Sequence, residues 1–302
     1  MEKLKSIVFL LRLPFLTVTL GSVFLGTAFA WWKTQQFSFI LFLLTLTGAC
    51  FLHISCNVIN DYFDFKSGND ASNQSALVPF SGGSRILVEG KVSPKQALVI
   101  SGTFALLGSS LGLFLNFASP GPIILLIGAA ALFFIYNYNG FPLKLVNKGL
   151  GEMAIFLSWG PLMVFGAYFV QAQKISSFWP VLASIPAGIL TTLVLLINEF
   201  ADKEADFQTG RRTWVILFGY EKSLNLYLAL AFCCYVVVGG GVLWGNWPVG
   251  SLLVFLTLPL PIRAFRAGRN NLENWKNFLP AVQSTVLMNF SFLVILSLSF
   301  VV

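Results

Sequence analysis

An all-α integral membrane protein, nine transmembrane helices bundled around a lipid-accessible cavity, is the fold class this sequence predicts. Three observations predict it. Hydrophobic residues make up 56% of the chain and charged residues 10%, where a soluble domain carries about 25% charged residues. Charge-free stretches recur at about the 20 residues that a helix needs to cross hydrocarbon. The basic residues also fall almost wholly on one side of the topology those stretches define.

The first span is Leu13 to Trp32, led in by Arg12-Leu-Pro14, where the proline suits a first helical turn. Its apolar run is too long for a signal-peptide core and no small-residue cleavage site stands out, so it reads as a permanent span. The second lies within Thr34 to Asn60. Gln96 to Leu143 is long enough for two spans and is broken by Asn116-Phe-Ala-Ser-Pro-Gly-Pro122. Met153 to Gln173 and Ile175 to Asn198 give one span each. Ser223 to Ile262 holds two more, broken at Trp244-Gly-Asn-Trp-Pro248, and Asn277 to Val302 is the last. The last three serve packing and closure of the bundle. Cys50, Cys56, Cys233 and Cys234 sit in apolar runs without metal-ligand spacing, so neither a disulfide framework nor a zinc site is expected.

With a cytoplasmic N-terminus, all Lys and Arg except Lys33 and Lys174 lie inside, from Lys3 to Lys276, and so do all 12 acidic residues. Charge-dependent chemistry therefore belongs to the cytoplasmic face of a cell inner membrane. The net charge of +7 reads as orientation and attraction to anionic membrane lipid, and no nucleic-acid partner is expected.

Two spans end in acid. Asn57, Asp61 and Asp64 are spaced four and three residues apart, which places them on one helix face. Asn198, Asp202 and Asp206 close the sixth span alike, hinting at two similar halves within one domain of residues 1–302. Behind the first motif comes the longest inside loop, Phe65 to Pro94, with Lys66, Pro79-Phe-Ser-Gly-Gly-Ser-Arg85 and Lys91. Long loops of this kind are functional or disordered, glycines let backbone approach a ligand, and the bases can meet an anion. Behind the second comes Gly210-Arg211-Arg212. Clustered carboxylates repel one another, and a divalent cation relieves this. Mg2+ is held by one or two carboxylates together with substrate phosphate oxygens. Two acidic clusters, bases and an apolar cavity therefore point to ionisation of a prenyl diphosphate, with aromatic faces to stabilise a carbocation.

These residues resemble the UbiA superfamily of intramembrane prenyltransferases. Asn57-x3-Asp61-x2-Asp64 and Asn198-x3-Asp202-x3-Asp206 followed by Gly210-Arg211 are similar to its two motifs. Where many members carry a further Asp, this chain has Gly68, with Asp70 two residues on. The Asn-Asp-Tyr-Phe-Asp-x-Lys-Ser-Gly-x-Asp pattern and Phe80-Ser-Gly-Gly-Ser84 resemble the branch that prenylates 1,4-dihydroxy-2-naphthoate in menaquinone biosynthesis. Tyr138-x3-Pro142-Leu-Lys144 and Gly149-Leu-Gly-Glu152 fit further elements of the family. The resemblance implies that Asp61, Asp64, Asp202 and Asp206 bind Mg2+ and that Asn57 and Asn198 support them. It implies that Lys66, Arg211 and Arg212 contact diphosphate oxygens, and that Tyr138 lines the reacting region; Arg85 and Lys144 are expected as further substrate-binding bases. The partners it implies are polyprenyl diphosphate and a small aromatic acceptor; other branches of the superfamily use 4-hydroxybenzoate, homogentisate, haem or glycerol-phosphate lipids.

His53, the single histidine, sits one turn before Asn57, either to orient or deprotonate an acceptor or as a hydrogen-bonded core residue. Glu199, in the second motif, is open between an added ligand and a loop-facing charge. An ion-coupled secondary transporter is the rival class, but its acids sit near the midplane on broken helices, whereas these stand at helix ends. A CDP-alcohol phosphatidyltransferase lacks its Asp-Gly-x2-Ala-Arg element here, since Phe65 follows Asp64.

Overall fold

The computed structural model describes residues 2–77, 80–175, 178–272 and 277–302. Pro79 and Lys276, and the side chain of Lys3, lie outside what is described. Among the described residues the chain is helical with no β-strand. Among these residues eight helices are long and apolar enough to cross a membrane, and a ninth apolar helix is shorter, at 15 residues.

The first spanning unit is broken. Helix α1 (Glu2–Leu10) ends in a turn where Arg12 takes a left-handed conformation, a 3-10 turn carries Pro14, and α2 (Leu16–Thr34) continues across. The span expected from Leu13 thus has a short helix before it. Helix α3 (Phe39–Ser67) opens on Ser38, whose hydroxyl accepts from the Leu41 amide, a regular N-cap. It runs past the first acidic motif to Gly68, whose left-handed conformation ends it. This corrects the expected loop from Phe65: helix continues to Ser67, and the loop's first half contains a further turn, α4 (Asn69–Ser72). The alternation of buried Asp61 and Asp64 with exposed Lys66 shows why, because the motif residues face the interior for a full extra turn.

A capping box at Ser93 and Gln96, with Pro94 in the first turn, starts α5 (Pro94–Phe117). The Asn116–Pro122 break separates it from α6 (Ile123–Asn137) as expected. The next span joins α7 (Gly151–Leu157), a π-helical turn at Ser158–Leu162 containing Pro161, and α8 (Met163–Ala172). There the proline, which has no N–H to donate, leaves the α pattern widened. Helix α9 (Trp179–Gln208) is the most buried span and packs on α2, α7, α8, α11 and α13. After it come α10 (Trp214–Phe218), α11 (Tyr220–Leu243), a 3-10 stretch Val249–Thr257 leading into α12 (Pro259–Asn270), and α13 (Leu279–Ser299). The aromatic core centres on Phe29, Tyr168, Trp247 and Phe300 at one end and Phe200 with Phe278 at the other. Helix α3 packs instead on α5, and with α2, α6, α8 and α9 it surrounds an interior cavity.

Candidate active site

That cavity has a volume of about 320 Å³ and joins two unlike regions. One wall is apolar, with Leu52, Ile127, Ile155, Leu162 and Val194 among its residues. The other gathers the ends of α3 and α9 with the loops behind them: Asn57, Asp64, Asp70, Asn198, Asp202, Asp206 and Arg211 all line it. Residues far apart in sequence thus meet in one place, as the paired motifs predict.

Arg211 joins the motifs. Its Nη2 pairs with Asp64 Oδ1, and its Nη1 lies 3.0 Å from Asp206 Oδ1. Carboxamides complete the frame. Asn139 Nδ2 donates to Asp64 Oδ1 at 2.9 Å and also to Asn60 Oδ1, while Asn69 Nδ2 donates to Asp206 Oδ1 at 2.8 Å. Asn73 Nδ2 donates to Asp202 Oδ1 at 2.5 Å. Asp61 is held differently. Arg12 Nη1 lies 3.5 Å from its Oδ1, and the Ser84 amide donates to its Oδ2 at 3.1 Å. It does not line the cavity; it ties the glycine-rich loop to α3. Asn57 Nδ2 donates to the Leu11 carbonyl at 3.3 Å, satisfying backbone left over at the break in the first span.

Four of the expected bases are not brought in. Lys66 is exposed, with its Nζ 5.6 Å from the Tyr62 ring centroid. Lys144 and Arg212 are exposed and off the cavity lining. Arg85 clamps the loop, its Nη1 donating to the Asp70 and Asn73 carbonyls at 2.9 and 3.2 Å. Tyr138 does line the cavity. Arg12, Asn60, Asn69, Asn73 and Asn139 are parts of the site that the sequence reading missed. The sequence marks Arg12 only as an inside charge, and single carboxamides such as Asn60 in α3, Asn69 in α4, or Asn73 and Asn139 in loops carry no spacing signal of their own.

Asp70 stands where the resemblance has a gap. It is 2% exposed, its Oδ1 has no hydrogen-bond partner among the described residues, and it lines the cavity. Gly83, at φ +69°, makes room for it, since a Cβ there would lie 2.4 Å from Asp70 Oδ2. Burial first, then the charges of Asp64 and Asp61, push its carboxyl up to about 9. The folded state therefore holds this proton where the unfolded chain has released it, so its contribution to stability falls as pH rises from about 4 towards 9. Asp70→Asn is expected to raise the melting temperature of the ligand-free protein relative to wild type, by a margin that widens between pH 6 and about 9. A margin that narrows with pH would contradict this placement.

Glu152 and Glu199 are buried side by side. The Trp214 amide donates to Glu152 Oε1, and among the described residues no backbone amide or neutral side chain donates to either Glu199 oxygen. Glu199 therefore faces the interior rather than a loop. His53 lines the apolar region, its Nδ1 2.7 Å from Thr19 Oγ1.

Among the described residues no three His, Cys, Asp or Glu side chains converge on one point. The carboxylates are spread around the cavity instead, with Asp70 Oδ1 and Asn198 Oδ1 left unpartnered. A donor set of this kind fits Mg2+, which takes one or two carboxylates and completes its shell with water and phosphate oxygens rather than a protein cage.

Comparison with known proteins follows the same outline. The chain is 30% identical over 287 residues to the 1,4-dihydroxy-2-naphthoate octaprenyltransferase of Bacillus subtilis, covering 95% of this chain and 89% of that protein. It is 27% identical over 255 residues to the 2-carboxy-1,4-naphthoquinone phytyltransferase of Synechocystis, covering 84% and 79%. Among solved structures, a UbiA homologue from Aeropyrum pernix superposes with a TM-score of 0.68 at 17% identity, over 95% of this chain and 97% of that one. A homologue from Archaeoglobus fulgidus bound to DMAPP and Mg2+ superposes at 0.65 and 15% identity, over 96% and 99%, a likeness of fold. The UbiA prenyltransferase family model matches residues 19–293. On that match, with both acidic motifs turned into one intramembrane cavity, the chain belongs to the UbiA prenyltransferase family.

Proposed function

We propose that this prenyltransferase transfers a polyprenyl group from polyprenyl diphosphate to 1,4-dihydroxy-2-naphthoate, a step of menaquinone biosynthesis. The observation that carries this reading is the cavity itself, acidic and basic where α3 and α9 end and apolar beyond. The naphthoate acceptor draws its support from the Bacillus subtilis relative, which is similar over most of both chains. In this reading residues 1–302 form one domain of nine spans, Ile123–Asn137 among them, in the cell inner membrane. The N-terminus and the acidic mouth face the cytoplasm, where the basic loops lie.

Asp64, Asp202 and Asp206 hold Mg2+, with Asp61 and Asp70 beside them; Asp70 supplies the acid that the resemblance lacks at Gly68. When bound, Mg2+ neutralises charge developing on the departing diphosphate. Arg211, already placed between Asp64 and Asp206, turns its guanidinium to diphosphate oxygens. The C1–O bond of the prenyl diphosphate breaks and its electron pair leaves with the diphosphate. The apolar wall excludes water from the allylic cation, and Tyr138 presents its ring to it. A ring carbon of the acceptor bonds to C1, and the acceptor's carboxylate leaves as carbon dioxide, its bonding electron pair returning to the ring to restore aromaticity with no net loss of a proton.

The test is transfer of a radiolabelled polyprenyl group by purified protein, with Mg2+ or with EDTA, to dihydroxynaphthoate, 4-hydroxybenzoate, homogentisate and a glycerol-phosphate lipid. A Mg2+-dependent product with dihydroxynaphthoate alone is expected. Preference for another acceptor would overturn the naphthoate assignment, and metal-independent transfer would overturn the mechanism.

A further inference from the structure

We propose that His53 is a hydrogen-bond donor that binds an oxygen of the aromatic acceptor, and that it is not the base that removes a proton. The inference rests on the acceptor reading above and adds where the acceptor sits.

The argument begins at Thr19, which is fully buried. Trp159 Nε1 lies 3.2 Å from Thr19 Oγ1, and an indole nitrogen only donates. Thr19 Oγ1 thus accepts from Trp159 and still has its own hydroxyl hydrogen to place. Among the described residues the acceptor within reach is His53 Nδ1, at 2.7 Å. The chain of donors runs Trp159 to Thr19 to His53, which leaves Nδ1 as the acceptor and puts the ring proton on Nε2. A doubly protonated ring would aim a second donor at Thr19 and strand its hydroxyl hydrogen. Trp159 also packs edge-on to the imidazole, with centroids 4.9 Å apart, so the ring plane is held.

Nε2–H stands on the opposite edge of the ring, with no partner among the described residues, and His53 lines the cavity. A donor facing a purely apolar ligand is costly, so the ligand there must carry an acceptor atom. The prenyl diphosphate has oxygen only at its head. Asp61 and Asp64 are eight and eleven residues further along α3, about 12 to 16 Å at the helical rise. A diphosphate held at Asp64 and Arg211 therefore cannot also reach His53. The oxygen that meets Nε2–H belongs to the second substrate, as a ring hydroxyl or carboxylate. Binding there anchors the acceptor in the apolar part of the cavity while its reacting carbon faces C1.

Equilibrium binding of radiolabelled dihydroxynaphthoate to purified protein, without prenyl diphosphate, tests this alongside steady-state kinetics for both substrates. His53→Leu is expected to weaken acceptor binding and raise acceptor KM by about 10-fold to 100-fold, the loss of a hydrogen bond to a charged or polarised oxygen. The KM for prenyl diphosphate should stay within about twofold. His53→Gln, which keeps an amide N–H at similar reach, should recover acceptor binding to within a few fold. Thr19→Val, which frees the tautomer, should weaken the acceptor selectively; it carries the test if His53→Leu does not fold. Unchanged acceptor binding in both His53→Leu and Thr19→Val would overturn the proposal. So would unchanged binding with a kcat reduced about 100-fold, the signature of a base. If wild type binds no aromatic acceptor, the acceptor reading itself falls. If wild type binds and the variants match it, only the role of His53 falls.

Discussion

Asp64→Asn is expected to lower kcat for prenyl transfer by about 100-fold to 1000-fold, the cost of losing one preorganised electrostatic contact to developing charge. Asp64 is the carboxylate on which the site's elements meet. Arg211 reaches it from behind α9, Asn139 from behind α6, and Asn60 from one turn away at 3.5 Å. An asparagine keeps the shape and removes the charge, so Mg2+ should also be needed at higher concentration. Steady-state rates over a Mg2+ titration measure both effects. Lys66→Ala and Arg212→Ala are the controls, because these side chains are exposed and off the cavity. They should change kcat by no more than about threefold. Equal losses in Asp64→Asn and Lys66→Ala would mean that the cavity is not where the diphosphate sits.

That contrast marks what the sequence could carry. Asn57, Asp61 and Asp64, or Asn198, Asp202 and Asp206, are legible because helical spacing converts sequence distance into a shared face, and apolar runs locate the helix that bears them. The spans are legible because hydrocarbon thickness fixes their length. Loops have no such rule. Lys66, Arg85, Lys144, Arg211 and Arg212 look alike as bases in inside segments between spans, yet of these five only Arg211 enters the cavity. What separates them is tertiary. Arg85 faces carbonyls that α4 turns toward it, and the Arg212 amide is tied to the Val146 carbonyl, 3.0 Å away, which leaves its side chain outside. Arg12 was hidden for a related reason. A span that starts at Leu13 leaves it in the cytoplasm, whereas the break before Pro14 folds it back against Asp61. His53 was legible as a position, but its role depended on Thr19 and Trp159 from two other helices.

Arg211→Met is expected to fail twice, in stability and in catalysis, and the two failures should part when Mg2+ is added. The Arg211 side chain is 14% exposed and its guanidinium spans Asp64 and Asp206, so its removal leaves two buried carboxylates facing each other without a counter-charge. Losing one partner of a buried pair costs about 3–5 kcal/mol, and thermal unfolding in detergent without divalent cation should show a clear drop in melting temperature. Mg2+ supplies positive charge between the same carboxylates, so it should restore the melting temperature of Arg211→Met far more than it raises that of wild type. Transfer should not return with it, because the metal cannot replace the planar fork that binds two diphosphate oxygens. Arg211→Lys separates the roles. A single ammonium pairs with one carboxylate at a time, which preserves most of the stability while leaving transfer low. If Mg2+ restored both properties to Arg211→Met, Arg211 would be a counter-ion alone, and the diphosphate would have to be held by other groups.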